Sequence, residues 1–114
     1  MQISSHSLSK AHEHHVLEQF DTVLADLTHP RDIENFLTAL LTPTERLAIA
    51  KRLAIAWHLH QTKSYEDIKK TLNVSSATIS HVAEHKDLPG FQLAIKSMTT
   101  DQWAEQIMAW FKRK

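Results

Sequence analysis

The chain has 114 residues, 42% of them hydrophobic and 23% charged, which is the composition of an ordinary globular domain. It contains no cysteine and no apolar run of about 18 residues, which excludes disulfides, thiolate catalysis, cysteine-bound zinc and a transmembrane helix. Lys+Arg and Asp+Glu both number 13, so the net charge gives no sign of nucleic-acid binding at the level of the whole chain. We expect one cytoplasmic domain without a signal peptide and without membrane contact.

The N-terminal third of the chain predicts two amphipathic helices. The first spans about residues 9–27, and Pro30 suits the first position of a second helix that ends near Leu41. Apolar residues recur at spacings of three and four along both helices. They are Val16, Leu17, Phe20, Val23, Leu24 and Leu27, then Ile33, Phe36, Leu37, Leu40 and Leu41. These faces exceed what a chain of this size covers, so residues 1–41 are predicted to be dimerisation helices.

A strong start signal for a third helix follows at Thr42. Thr42 can cap the helix, Pro43 fills its first position, and Glu45 lies three residues after the cap, as in a capping box. The helix is predicted to continue to about Gln61. It is apolar over much of its circumference, through Leu47, Ala50, Leu53, Ala54, Trp57 and Leu59. We therefore expect residues 42–62 to form the central helix of the domain.

The segment after Thr62 has the pattern of two short helices joined by a three-residue turn. Ser64 is a good N-cap with Asp67 three residues later, and Asn73 tolerates the left-handed conformation of a helix end. Ser75 then caps the second helix. The residues predicted to face inward are Ile68, Leu72, Val74, Ile79 and Val82. This order predicts a helix-turn-helix over residues 64–86.

Further helices are predicted in the C-terminal part, over residues 91–114. Leu88-Pro89-Gly90 interrupts the chain before a short helix that begins with Phe91, Leu93, Ala94 and Ile95. A last helix is predicted from Asp101 to Phe111, with Trp103, Ile107 and Trp110 on one side. The presence of only one glycine and three prolines argues against an all-β fold, which needs many turns. The sequence thus predicts a single all-α domain over residues 1–114 with about six helices.

The outward side of the second helix of the pair carries short side chains, many of them able to form hydrogen bonds. Short side chains bring a helix backbone close to base edges in the major groove of DNA, and a helix N-terminus offers free N–H groups to a phosphate. Residues 43–86 contain seven Lys and Arg against four Asp and Glu, a local net charge of +3 that favours phosphate contacts. The predicted DNA-binding residues are Ser64, Lys69, Lys70, Ser75, Ser76, Ala77, Thr78, Ser80 and His81. From spacing alone, a capped helical hairpin without DNA binding remains the alternative.

Four segments between about residues 30 and 86 resemble the Trp repressor superfamily, more closely its uncharacterised branch than the tryptophan-responsive repressor. They are Leu41-Thr42-Pro43-Thr44-Glu45-Arg46, Ala50-Lys51-Arg52, Ser64-Tyr65-Glu66-Asp67-Ile68-Lys69 and Ser76-Ala77-Thr78-Ile79-Ser80. The resemblance implies a Trp-repressor-like homodimer whose N-terminal helices intertwine. It also implies base contacts from Ser76, Ala77 and Ser80, with Lys69, Lys70 and the Ser64 cap near phosphates.

The same resemblance leaves room for a small-molecule corepressor, held in an effector pocket of Thr42, Arg52 and His81. Thr42 and Arg52 match a threonine and an arginine that hold the corepressor in the tryptophan-responsive repressor. His81 replaces the second arginine, and the larger Val82 replaces a glycine, so tryptophan is not expected to be the effector. From the residues alone, Arg52 is a ligand clamp, a phosphate contact or a buried ion pair with Glu45 or Glu84.

Other functional classes have weaker support in the sequence. Two histidine pairs, His12–His15 and His81–His85, have the spacing of a helical metal site, but we assign no metal and interpret them as parts of a solvated helix and of the DNA-contacting helix. No glycine loop, cysteine nucleophile or paired-acid site points to an enzyme. The sequence therefore predicts a sequence-specific transcriptional regulator, a repressor by preference, that binds double-stranded DNA. The alternative is a homodimeric protein-interaction module, which the neutral charge favours slightly.

Overall fold

The computed structural model describes residues 8–99 together with 105, 108 and 109, and this part of the chain contains helices and no strand. The helices are α1 (Lys10–Asp26), α2 (Pro30–Leu40), α3 (Pro43–His60), α4 (Tyr65–Leu72), α5 (Ser76–His85) and α6 (Pro89–Met98). They confirm the all-α prediction and, within one or two residues, the predicted boundaries of the first five helices. The sixth helix begins at Pro89 and not at Phe91, because Pro89 and Gly90 form its first turn and do not interrupt the chain before it. The predicted helix from Asp101 to Phe111 lies outside the described residues, apart from three helical positions. No helix among the described residues is both long and apolar enough to cross a bilayer.

Local hydrogen bonds set where α1 and α3 begin. The Ser9 hydroxyl accepts a hydrogen bond from the N–H of His12 at 3.2 Å and so caps α1. At the start of α3, the N–H of Thr42 donates to Glu45 Oε1 at 2.8 Å, and the N–H of Glu45 donates to Thr42 Oγ1 at 3.1 Å. This reciprocal pair is the capping box that the sequence predicts, and it satisfies two N–H groups that the helix leaves without partners.

The chain divides into two compact units, of which the first comprises residues 1–47. Within it, the rings of Phe20 and Phe36 pack with their centroids 6.3 Å apart, and Arg46 Nη1 donates to Thr38 Oγ1 at 3.3 Å. No residue of α1 or α2 is buried. Large apolar side chains of this unit are therefore exposed, namely Leu8, Val16, Leu17, Phe20, Val23, Leu24, Leu40 and Leu47.

The second compact unit, residues 48–114, contains the buried core. The buried side chains come from α3, α4, α5 and α6 and are Ile55, Ala56, Ile68, Ile79, Val82, Ile95 and Met98. Trp57, Leu59, Leu72, Val74 and Phe91 are partly buried against them. Ile68, Ile79 and Val82 are thus confirmed as inward-facing residues.

The prediction for α3 as a central helix is correct only for its C-terminal half. Ile55 and Ala56 are buried there, although the predicted apolar face included neither of them. Leu47 and Leu53, which belonged to that face, are 55% and 38% exposed. A helix that is apolar on several sides does not reveal from its sequence which side packs within its own chain.

Candidate nucleic-acid interface

Helices α4 and α5 form a helix-turn-helix whose turn is Asn73-Val74-Ser75. Asn73 has φ 52° and ψ 58°, the left-handed conformation that ends α4. The hydroxyl of Ser64 caps α4 by accepting from the N–H of Asp67 at 3.1 Å, and that of Ser75 caps α5 by accepting from the N–H of Thr78 at 3.1 Å. The predicted order of cap, left-handed residue and second cap is therefore confirmed. Both helices therefore begin at a serine cap, and α4 ends at a left-handed residue.

The orientation of α5 against α4 is fixed from the inside by apolar contacts. Ile68 of α4 and Ile79 and Val82 of α5 are each at most 2% exposed, and they share the core with Ile55 of α3. Because interiors pack as densely as organic crystals, α5 cannot rotate about its axis without breaking these contacts. The opposite side of α5 is consequently held outward.

A polar contact from α3 also reaches the turn. Lys51 Nζ donates to the carbonyl oxygen of Asn73 at 3.3 Å. This carbonyl lies at the C-terminus of α4, where a cation is favoured by the helix dipole. Sequence reasoning counted Lys51 only as part of the local positive charge, because a contact between residues 22 positions apart leaves no signal in local spacing.

The outward side of α5 carries most of the predicted base-contacting residues. Ser76, Ala77, Ser80 and His81 are all exposed. Thr78 is half-buried instead, and its hydroxyl lies 2.9 Å from the Ser75 hydroxyl. Thr78 therefore differs from the other predicted contacts, because its polar group already takes part in the cap of α5.

The lysines predicted to contact phosphates lie in the last turn of α4. Lys69 Nζ is 3.8 Å from Glu66 Oε1, a solvent-exposed pair that contributes little to stability. Lys70 is exposed and has no ion pair among the described residues. Ser64 uses its oxygen as an acceptor in the cap, so its hydroxyl proton can still be donated to a phosphate oxygen.

The three residues of the predicted effector pocket belong to different compact units of the chain. Thr42 belongs to the first unit, where its hydroxyl caps α3, whereas Arg52 and His81 belong to the second. Arg52 is exposed and forms no ion pair within the described part of the chain, so the buried-ion-pair interpretation is wrong. Val82, predicted to obstruct an indole ring, is a core residue.

One cavity in the second unit has a volume of about 230 Å³. It is lined by Ala56, Leu59, His60, Lys86, Asp87, Gln92 and Ile95. None of the three predicted effector residues lines it.

Among the described residues, two side chains have pKa values that depart from the usual range. The backbone N–H of Thr42, which donates to the Glu45 carboxylate, is the first cause of a lowered pKa for Glu45. Burial lowers the pKa of His58, and the nearby positive charge of Lys63 lowers it further. Both groups affect how stability depends on pH, and neither lies on the outward side of α5.

The geometry agrees with an independent comparison of the sequence with protein families. A family model described as Trp repressor protein matches residues 15–99, which is more than half of the chain and includes the whole helix-turn-helix. No curated protein matches the chain significantly. No solved structure does so either.

Proposed function

Because this chain belongs to the Trp repressor family, we propose that it is a sequence-specific DNA-binding transcriptional regulator of the repressor type. The observation that carries the proposal is the capped α5, fixed by Ile79 and Val82 and presenting short side chains outward. A helix of this kind fits the major groove, where each base pair presents a distinct pattern of donors and acceptors. In this proposal the protein acts in the cytoplasm and has no catalytic role.

The proposed interface assigns different roles to the two helices. Ser76, Ala77 and Ser80 of α5 lie within about a third of a turn of one another and contact base edges. A serine hydroxyl donates to or accepts from a base, and Ala77 meets the methyl group of a thymine. Lys69 and Lys70 of α4 contact the phosphate backbone, which supplies affinity without sequence information.

We further infer that two copies of the chain associate through the first unit. Helix α1 has five large apolar side chains and no buried residue, and these side chains are between 37% and 56% exposed. Exposed apolar surface of this extent is characteristic of a protein–protein interface. A symmetric dimer would carry two α5 helices and would bind two half-sites of a nearly palindromic sequence.

The test is to select bound sequences from random duplex DNA and then to titrate the enriched duplex and a scrambled one. We expect enrichment of a two-fold symmetric sequence and tighter binding of the enriched duplex. Affinity for both duplexes should fall steeply with salt, because each phosphate contact releases counterions. Failure to enrich any sequence, with no salt-dependent binding, would instead favour the protein-interaction module. Gel filtration of the same preparation would show whether the protein used was folded and associated.

A further inference from the structure

The C-terminal half of α5 brings together His81, which is also among the predicted DNA contacts, and two side chains that are not. His81, Glu84 and His85 each offer one metal-ligating atom, and the three atoms lie within 4.8 Å of one another. Residues at these spacings share one side of a helix. We propose that His81, Glu84 and His85 bind a zinc ion or another divalent transition metal. This site is separate from the proposed function and does not depend on it.

The tautomer of His85 is suited to metal binding. His85 Nδ1 lies 2.8 Å from the carbonyl oxygen of His81. A carbonyl oxygen can only accept, so Nδ1 is the donor and carries the proton. In the neutral ring the lone pair is then on Nε2, the atom free to bind a metal. Histidines that bind metals commonly donate their other ring N–H to a carbonyl in this way, which orients the ring.

Small movements of these three side chains would bring their ligand atoms to the spacing that a bound zinc ion needs. Tetrahedral zinc with bonds of about 2.0–2.1 Å needs ligand atoms about 3.4 Å apart. The His81 and His85 rings are already neighbours, with centroids 4.7 Å apart and planes tilted by 46°. His81 and Glu84 are exposed and His85 is half-buried, so rotations about side-chain bonds can close the remaining distance without disturbing the core.

The donor set and its surroundings determine the class of metal. Two imidazoles and one carboxylate suit zinc and its neighbours in the first transition row, whereas Mg²⁺ and Ca²⁺ prefer sets of oxygen ligands. The negative end of the α5 dipole and the Glu84 charge favour a cation, and the neighbouring Lys86 opposes it. Three protein ligands leave one position for water or for a ligand from elsewhere.

The sequence pattern alone did not lead to this site. It places His81 and His85 at the spacing of a helical metal site, but we interpret the pair as part of the DNA-contacting helix. The structure adds Glu84 as a third ligand beside them. Histidines four residues apart on one helix are a recurrent zinc-binding pair because their rings project from the same side.

Calorimetric titration of the full chain, without a histidine tag, with ZnCl₂ tests the proposal. We expect one tight zinc per chain, no heat from MgCl₂ under the same conditions, and a loss of affinity of about tenfold or more in each of His81→Ala, Glu84→Gln and His85→Ala. His14→Ala is the matched control, because His14 Nε2 and Glu18 Oε2 are 3.2 Å apart on α1 in a pair for which the described residues offer no third ligand. This control should leave the tight site unchanged.

Two results would overturn the metal site. One is the absence of tight zinc binding to the wild-type chain. The other is tight binding that persists in the three α5 variants or is lost in His14→Ala, which would place the zinc on other histidines. Circular dichroism of each variant verifies that α5 is still folded. The chosen residues are outside the core, so folding is expected to be unaffected.

Zinc bound at this site should change the affinity for DNA, and this consequence rests on the proposed function. His81 is also among the predicted DNA contacts, and a ring nitrogen bound to zinc cannot donate to a base. Zinc should therefore change the affinity of the wild-type chain for its enriched duplex and should not change that of Glu84→Gln. If zinc binds as expected while DNA binding is absent, the metal site stands and the proposed function fails. If zinc changed the DNA affinity of wild type and of Glu84→Gln equally, zinc bound at His81 would not be the cause of that change.

Discussion

At the scale of single residues, the outward side of α5 and the end of α4 should respond differently to substitution. Ser80 is exposed on α5, where a hydroxyl contributes to choosing between bases, while Lys70 is exposed in the last turn of α4. Ser80→Ala should cost about 1–3 kcal/mol on the preferred duplex and relax preference at one base pair. Lys70→Ala should weaken binding to all duplexes alike and reduce the salt slope by about one.

Titration of each variant on specific and scrambled duplexes at several salt concentrations measures both effects. Lys96→Ala, which removes an exposed lysine of α6 outside the helix-turn-helix, is the matched control and should leave the salt slope unchanged. Identical patterns for Ser80→Ala and Lys70→Ala would show that the two helices are assigned wrongly.

His58 gives a prediction about pH at the same scale. Burial lowers its pKa in the folded protein below the ordinary value of 6.5, so the unfolded chain binds more protons between these two values. The free energy of unfolding should therefore fall as pH drops through about 6.5 and should stop falling, for this group, below the lowered pKa. Denaturant unfolding of wild type and His58→Gln across this range measures the effect. The free energy of unfolding of His58→Gln should depend less on pH in this range than that of wild type. An equal pH dependence in both proteins would rule out His58 as the source.

The residues that sequence reasoning identified are those whose surroundings are local. Ser64, Ser75 and Asn73 were found because caps and left-handed turns depend on neighbours within three or four positions. Ile55 and the Lys51 contact to Asn73 were missed, because both depend on packing between segments far apart in the chain. Glu84 as a third metal ligand was missed although it is local, since its relation to two rings depends on side-chain conformations.

At the scale of helices, the turn between α4 and α5 depends on one left-handed residue. At φ 52° the Cβ of any side chain lies close to the following carbonyl oxygen, and asparagine offsets this cost because its short polar side chain can form local hydrogen bonds. Alanine keeps the Cβ without that compensation, whereas glycine has no Cβ. Asn73→Ala should therefore destabilise the protein by about 1 kcal/mol, and Asn73→Gly should be closer to wild type. Both variants retain the carbonyl that accepts from Lys51, so the comparison isolates the backbone conformation. Denaturant unfolding would refute this account if the glycine variant were the less stable one.

Helix boundaries could be predicted from the sequence except for the start of α6, but the faces of α3 could not. Pro30, Pro43 and Pro89 each occupy the first turn of a helix, where the missing N–H costs nothing. The apolar residues of α3 surround the helix, and both Leu47 and Leu53 remain exposed in the single chain. Periodicity indicates that a helix is buried without indicating which chain or segment buries it.

At the scale of the whole molecule, a neutral chain is compatible with DNA binding because its charges are unevenly distributed. Residues 43–86 carry a net charge of +3, and the remainder of the chain is correspondingly acidic. Phosphate attraction depends on the local field at the docking surface and falls off within about 10 Å at 0.1 M salt. The zero net charge therefore does not decide between a DNA-binding regulator and an interaction module.

Self-association is the prediction that belongs to the whole molecule. Leu17 is 56% exposed on α1, so burial of its remaining surface in a dimer should contribute about 1–1.5 kcal/mol per chain, roughly half the value for a fully exposed leucine. Wild-type protein should sediment at twice the 13.1 kDa chain mass at micromolar concentration, and Leu17→Lys should weaken the dimer about tenfold or more because it places a charge in the interface. His15→Lys adds the same charge on the far side of α1, about 160° away at 100° per residue, and should leave the dimer intact. A clean wild-type monomer at this concentration would contradict the dimer, and equal losses in both variants would place the interface elsewhere.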